Sequence, residues 1–257
     1  MNKISDAFAG KKAFVAYLMA GDPTLEKSAE YILAAQRAGA DLIEVGIPFS
    51  DPIAEGEVIQ GASVRALAAG TTLEGVFQML ASIKDRLTVP VVFMTYLNPV
   101  FVYGCDRFFA RCGECGVCGI IIPDLPFEER DEVQRDAARH AVELVTMVAP
   151  TSSERVGRIA KSAEGFIYLV SSLGVTGMRS EITTDIPGMV QEIRRCTDLP
   201  VAVGFGISTP EQAGACARDA DGVIVGSAIV KLIARHGEDA GKALESYIAS
   251  MKAATRI

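Results

Sequence analysis

The stretch Asp41-Leu-Ile-Glu-Val-Gly-Ile-Pro-Phe-Ser-Asp-Pro52 reads as a strand that runs directly into a polar turn. Side chains alternate between the two faces of a strand, so Leu42, Glu44 and Gly46 share one face and Ile43, Val45 and Ile47 the other. The all-aliphatic set suits packing against helices. Glu44 then points to the inside of whatever the sheet encloses, with Gly46 leaving space above it. A carboxyl there loses hydration, which raises its pKa and suits a general acid.

Seven more short apolar runs, at residues 14–20, 89–96, 119–123, 144–148, 166–171, 201–205 and 222–225, join 42–47 as strands. Helical patterns lie between them at 25–38, 73–85, 106–115, 128–140, 153–163, 187–196, 210–217 and 228–235, with a last helix at 240–253 and an extra one at Ile4–Phe8 ahead of the first strand. Strands alternating with helices imply βαβ units and a parallel sheet. Eight such units in 257 residues predict a single-domain (β/α)8 TIM barrel over residues 1–257 with an extra N-terminal helix. Oxygen acceptors at Asp22-Pro23-Thr24, Thr151-Ser152-Ser153 and Thr209-Pro210 mark helix starts. The turns after the strands are rich in Gly and Pro, and in this fold the active site is built at those strand ends.

Composition narrows the chemistry. Hydrophobic residues make up 49% of the chain and charged ones 22%, enough apolar surface for a large core. The formal charge of −7 with no basic cluster argues against nucleic acid and anionic membranes. No signal peptide or membrane-length apolar run is apparent, so a cytoplasmic location is expected. With only His140 and His236 present, acid–base work falls to carboxylates or Tyr. Cys112, Cys115 and Cys118 have the spacing of a metal motif, but no second CxxC follows. They read as small buried residues at a helix end, and no metal is expected.

No strand contains the Lys or Arg that would neutralise a structural Glu44. Buried, unpaired carboxylates are rare without a function. A second acid, Glu55, follows in the turn, with Asp51 nearby, so one strand-and-loop unit can supply an acid and a base. Three glycine turns, Gly174-Val-Thr-Gly177, Gly204-Phe-Gly206 and Gly226-Ser227, follow the last three strands. Glycine lets main-chain N–H groups approach an anion, and the helix opened by Gly226-Ser227 adds a partial positive charge. A small phosphate substrate is expected there. The segment 175–184 reads as a lid.

Leu42-Ile-Glu-Val-Gly-Ile-Pro-Phe-Ser-Asp-Pro-Ile-Ala-Glu-Gly56 with Ile59-Gln60, Gly21-Asp22-Pro23, Tyr96-Leu-Asn98-Pro, Pro123-Asp124-Leu-Pro126, Ser172-Leu-Gly-Val-Thr-Gly177, Gly204-Phe-Gly-Ile-Ser208 and Gly226-Ser-Ala-Ile-Val-Lys231 resemble, in order, the motifs of the tryptophan synthase alpha subunit family. The resemblance implies retro-aldol cleavage of indole-3-glycerol phosphate to indole and glyceraldehyde 3-phosphate. It assigns Glu44 as the acid that protonates indole C3 and Glu55 as the acid that meets the indole N–H. It places Tyr17, Met94, Tyr96, Tyr168 and Phe205 in the substrate site, Gly177, Gly206, Gly226 and Ser227 at the phosphate, and Thr176 on the lid. It implies no cofactor in this chain and a pyridoxal-phosphate beta subunit as partner in an alpha-beta-beta-alpha heterotetramer, met through Asp51, Asn98 and Pro126.

Two positions depart from the family pattern: Glu55 stands where Asp is common, and Tyr17 where Phe is common. The Glu55 departure is the one hint of a second reading, a low-activity or non-catalytic alpha-like subunit acting mainly as an allosteric partner of a beta subunit. A third reading, an isomerase or indole-glycerol-phosphate synthase on the same fold, conflicts with the absence of strand lysines in the synthase case.

Overall fold

The computed structural model describes residues 3–150, 153–170, 185–204 and 206–256. Eight parallel strands, β1 Ala13–Met19, β2 Leu42–Gly46, β3 Val91–Met94, β4 Val117–Ile121, β5 Glu143–Val148, β6 Glu164–Val170, β7 Val201–Gly204 and β8 Gly222–Val225, pair in sequence order, and β8 returns to β1 to close a barrel. The helices are α1 Ile4–Phe8, α2 Leu25–Arg37, α3 Glu57–Ala68, α4 Leu73–Ile83, α5 Leu97–Tyr103, α6 Cys105–Cys115, α7 Asp131–Arg139, α8 Ser153–Lys161, α9 Ile186–Arg194, α10 Pro210–Asp219, α11 Ser227–His236 and α12 Gly241–Ala254. The expected TIM barrel with its extra first helix is therefore the observed architecture.

Strand alternation sorts the core into two layers. Val15, Leu42, Val92, Ile121, Val145, Phe166, Tyr168, Ala202 and Ile224 pack inside the barrel. Their neighbours Phe14, Ile43, Val45, Phe93, Ile120 and Ile167 pack outward against the helices. Leu42 falling inside and Ile43 outside fixes the side of Glu44, two residues further along the inner face. Helix α1 plugs the lower end of the barrel: Ile4 and Ala7 join the inner cluster, and Phe8 lies 5.5 Å from Phe166. Gly119 and Gly165 make room for the plug, since a β-carbon on either would come within 3.0 Å of Ile4 Cδ1 (2.7 and 2.9 Å).

The lower rim is tied to the end of the chain. Asp41 is buried just before β2. It accepts the Phe14 N–H at 2.8 Å and an ammonium proton of the buried Lys252, on α12, at 2.6 Å. Lys11 adds a second ammonium at 2.7 Å. The anchored carboxylate holds β1, β2 and α12 together.

Two helices were not expected from the sequence. In α3 the buried residues are Ile59, Ala62, Ser63 and Ala66, a helical stripe in which small side chains mute the apolar signal. In α5 the Pro sits in the first turn, where its missing N–H costs nothing, and the Leu97 N–H is received by Asp124 Oδ1 at 2.9 Å. That acceptor lies on the loop after the next strand, so no local pattern announces it.

Thr24 and Thr209 cap α2 and α10 as expected. Asp22 instead forms a bidentate pair with Arg65 of α3 at 2.8 and 2.7 Å. The three clustered cysteines are all buried. Cys115 Sγ donates to the Cys112 carbonyl and Cys118 Sγ to the Val91 carbonyl, both at 3.4 Å. Among the described residues no group of His, Cys, Asp or Glu is arranged to hold a metal ion, and no single helix is long and apolar enough to cross a membrane.

Candidate active site

A cavity opens at the C-terminal ends of the strands. Its walls are Tyr17 of β1, Glu44 of β2, Ala54 and Glu55 of the following loop, Ile59 of α3, Met94 of β3, Pro123 after β4, Met147 of β5, Tyr168 of β6, Gly206 and Ile207 after β7, Ile224 of β8, and Gly226 with Ser227 at the start of α11. Eight strands thus each contribute at or just beyond their upper end, as the closed topology requires.

Glu44 is 1% exposed on the floor of this cavity, and its Oε2 has no hydrogen-bond partner. Burial alone pushes its carboxyl up to about 8. Among the described residues no Lys or Arg lines the cavity to offset that. Glu55, at the rim, is 9% exposed, its Oε2 is likewise unpartnered, and burial lifts it to about 7. Both carboxyls are therefore held near neutrality by lost hydration, with Glu44 the weaker acid of the two.

The loop carrying Glu55 is fixed through its main chain. The Ala54 N–H donates to the Tyr96 hydroxyl at 3.0 Å, and Gln60 Nε2 donates to the Glu55 carbonyl at 2.7 Å. Tyr96, expected in the substrate site, is not one of the cavity walls. It stands behind the acidic loop, 2% exposed, with its ring 5.4 Å from Phe49. Tyr96 lies two residues past the last residue of β3, where strand parity no longer governs direction.

The space over Glu44 is also different from expectation. Gly46 does not leave an empty volume. A β-carbon there would strike the Tyr17 hydroxyl and lie 2.7 Å from Cζ, so the phenol ring occupies the space the glycine vacates. Gly204 accommodates Tyr168 in the same way, with Oη 2.5 Å from a β-carbon position. Two tyrosine rings thus wall the cavity over glycines on neighbouring strands. Both phenols are shifted well above the usual value, first by burial, with Glu44's charge adding to each.

Gly206 takes a φ of +90°, open to glycine and strained for other residues, where the chain turns beneath the cavity. Gly226 is the N-cap of α11 and supplies no side-chain cap, and Gly226 and Ser227 both line the cavity, which puts the start of the helix at the site. Together they form a main-chain cradle suited to an anion. Thr176, Gly177, Phe205 and the whole expected lid, 175–184, lie outside the described residues. Asp51 and Pro126, on loops, and Asn98, in the first turn of α5, are all exposed around the same end of the barrel.

Sequence reasoning missed Ile59, Pro123, Met147, Ile207 and Ile224 as walls. Inward parity was the available signal for two of them. Ile224 shares the inner layer with Val15 in register, and Met147 is paired with Tyr168.

A sequence model of the tryptophan synthase alpha chain matches residues 5–256. The chain belongs to the tryptophan synthase alpha chain family. It is 45% identical over 254 residues to the tryptophan synthase alpha chain of Lacticaseibacillus casei, covering 99% of this chain and 96% of that one. Its fold is similar to the structure of Mycobacterium tuberculosis tryptophan synthase, with a TM-score of 0.90 and 32% identity, covering 100% of this chain and 99% of the other. It is also similar to a chain of the tryptophan synthase a2b2 complex of Pyrococcus furiosus, TM-score 0.84 and 34% identity, covering 94% and 97%. The cavity of this alpha chain, apolar on its flanks with two acids and an anion cradle, is consistent with membership on physical grounds.

Proposed function

We propose that the chain cleaves indole-3-glycerol phosphate to indole and glyceraldehyde 3-phosphate as the alpha subunit of a tryptophan synthase. The observation that carries this is the pair of buried acids on one strand-and-loop unit, with the Glu44 carboxyl at about 8 and Glu55 at about 7. Near neutral pH the first is protonated and the second substantially ionised, which is the division of labour an acid and a base require.

The flat indole lies between the tyrosine rings and the aliphatic walls, and the phosphate meets the main-chain amides at Gly206, Gly226 and Ser227. Glu44 gives its proton to indole C3 while Glu55 takes the proton from the ring nitrogen, leaving a neutral indolenine. The carbinol O–H then loses its proton to the Glu44 carboxylate, the C–C bond to C3 breaks, and the carbinol carbon becomes the aldehyde. The released electron pair restores the aromatic ring as Glu55 returns its proton to nitrogen. Both acids end as they began.

The partner is a beta subunit carrying pyridoxal phosphate, joined in an alpha-beta-beta-alpha heterotetramer, and this chain needs no cofactor of its own. The docking face is the active-site end of the barrel. There Asp51, Asn98 and Pro126 are accompanied by Ile53, Phe101 and Val102, which expose 72%, 44% and 80% of their surface. Apolar side chains this exposed on one end of a barrel suit a protein interface. Such an assembly works in the cytoplasm. The non-catalytic reading has no observation in its favour, since Glu55 presents a carboxylate to the cavity.

The test is Glu44→Gln. It keeps the shape of the side chain and removes the transferable proton. Binding of a phosphate-bearing substrate analogue should persist while indole release is lost. Near-normal turnover in this variant would remove the acid assignment.

A further inference from the structure

The cavity holds a third polar group that the reaction above does not use. The Tyr17 hydroxyl is buried, and its one hydrogen bond among the described residues goes to the Met19 sulfur at 4.0 Å. A thioether is a weak acceptor, and an ionised carboxylate is a strong one. Two carboxylate oxygens without partners, Glu44 Oε2 and Glu55 Oε2, belong to the same cavity. The hydroxyl is thus poorly satisfied beside acceptors that are wholly unsatisfied, an arrangement that costs free energy unless it is resolved when the site is occupied.

Which carboxylate resolves it follows from the surroundings. Glu44 is Tyr17's direct partner across β1 and β2. Even so, the charge that most strongly opposes ionisation of Tyr17 is that of Glu55, ahead of Glu44, Tyr96 and Tyr168. These four are the titratable neighbours that Tyr17 meets, from the acidic loop, β2, the segment after β3, and β6. The Glu55 main chain is pinned on both sides by Tyr96 and Gln60, but among the described residues nothing bonds its Oε2. Three side-chain torsions separate that carboxylate from its anchor. A base left to rotate loses the advantage of fixed geometry.

We propose that the Tyr17 hydroxyl is the positioning donor for Glu55: with substrate in the cavity it turns from the Met19 sulfur to the Glu55 carboxylate and fixes that carboxylate against the ring nitrogen. The step needs a rotation about the Tyr17 C–O bond and a swing of the Glu55 side chain, with no bond made or broken. It rests on the reading of Glu55 as the proton acceptor. A donor to the ionised form favours that form, so losing it raises the pKa of Glu55 and moves the low-pH limb of the rate profile upward.

The experiment is a double-mutant cycle on indole release, run on the chain alone and mixed with a beta subunit. Tyr17→Phe keeps the ring over Gly46 and so keeps the wall. In the native background it should lower kcat by about tenfold, the worth of one hydrogen bond to a charged group, with KM little changed, and shift the low-pH limb upward. In the Glu55→Asp background, whose carboxylate falls one methylene short of the hydroxyl, the same substitution should change kcat by less than about twofold. Equal losses in both backgrounds, or an unmoved limb, would overturn the proposal and leave Tyr17 as an apolar wall. A companion Glu55→Ala variant separates the two readings. If it keeps turnover, the base assignment itself fails; if it loses turnover while the cycle shows no coupling, only the positioning role fails.

Discussion

The Tyr17 hydroxyl lies against the α-carbon of Gly46, so close that a β-carbon on the glycine would overlap it. Tyr17 faces Glu44 across β1 and β2, and Gly46 is the next residue up on Glu44's own face. A large ring therefore roofs the buried acid because the residue above that acid has no side chain. Glu44 is 1% exposed beneath this contact, and its burial is what raises its pKa.

Gly46→Ala should break this arrangement. Overpacking in a rigid barrel costs on the order of 1–3 kcal/mol. The ring must move off the glycine, opening Glu44 to water and lowering its pKa. Urea unfolding should show the loss of stability, and indole release should fall by more than tenfold, about 1.4 kcal/mol of barrier. A variant with wild-type turnover would show that the roof over Glu44 is dispensable.

The dependence of kcat/KM on pH should be bell-shaped. The base must be ionised, so activity rises as pH climbs through the Glu55 value of about 7. The acid must be protonated, so activity falls as pH passes the Glu44 value of about 8. A profile flat across that interval would contradict the roles given to both residues.

Stability should respond to the same groups. The folded-state pKa of Glu44 is raised from 4.5 to about 8, so between those values the folded chain binds more protons than the unfolded one. Stability therefore declines as pH rises through this window, and below 4.5 the group makes no difference. Glu44→Gln cannot ionise. It should lose less stability than the parent chain between pH 6 and about 9, with the gap growing to a few kcal/mol at most. Urea denaturation of both chains across that range tests the sign directly.

Lys252→Met should destabilise the barrel without touching the chemistry. It removes the 2.6 Å partner of Asp41, a carboxylate buried between β1, β2 and α12. Breaking a buried pair by deleting one partner typically costs ~3–5 kcal/mol. Lys11, at 2.7 Å, softens the loss, so a cost of about 2 kcal/mol is expected in urea unfolding. Asp41→Asn in the same background should restore part of it, because the leftover charge is gone.

Val102→Asp should weaken docking of the beta subunit. Val102 exposes 80% of its surface at the active-site end of the barrel, beside Phe101. A charge in the apolar centre of an interface costs at least about 1.4 kcal/mol, or tenfold in affinity. Titrating the variant with a beta subunit and following activation should show that shift. An unchanged midpoint would place the interface elsewhere.

Whatever depends on local periodicity can be read from the order of the residues. Alternation in Leu42-Ile-Glu-Val-Gly46 sent Glu44 inward, and the repeated strand-and-helix pattern set the closed barrel, because a parallel strand must bury one face against helices and the other against its fellow strands. The glycine turns after β7 and β8 were legible for the same reason: a backbone need was written in a residue type. Contacts between distant segments came from the folded barrel. It put the Tyr17 ring over Gly46, set the Tyr96 hydroxyl against the Ala54 N–H of the acidic loop, and let Asp124 begin α5 from another loop. None of these has a sequence period, because the partners are brought together by barrel closure and not by spacing along the chain.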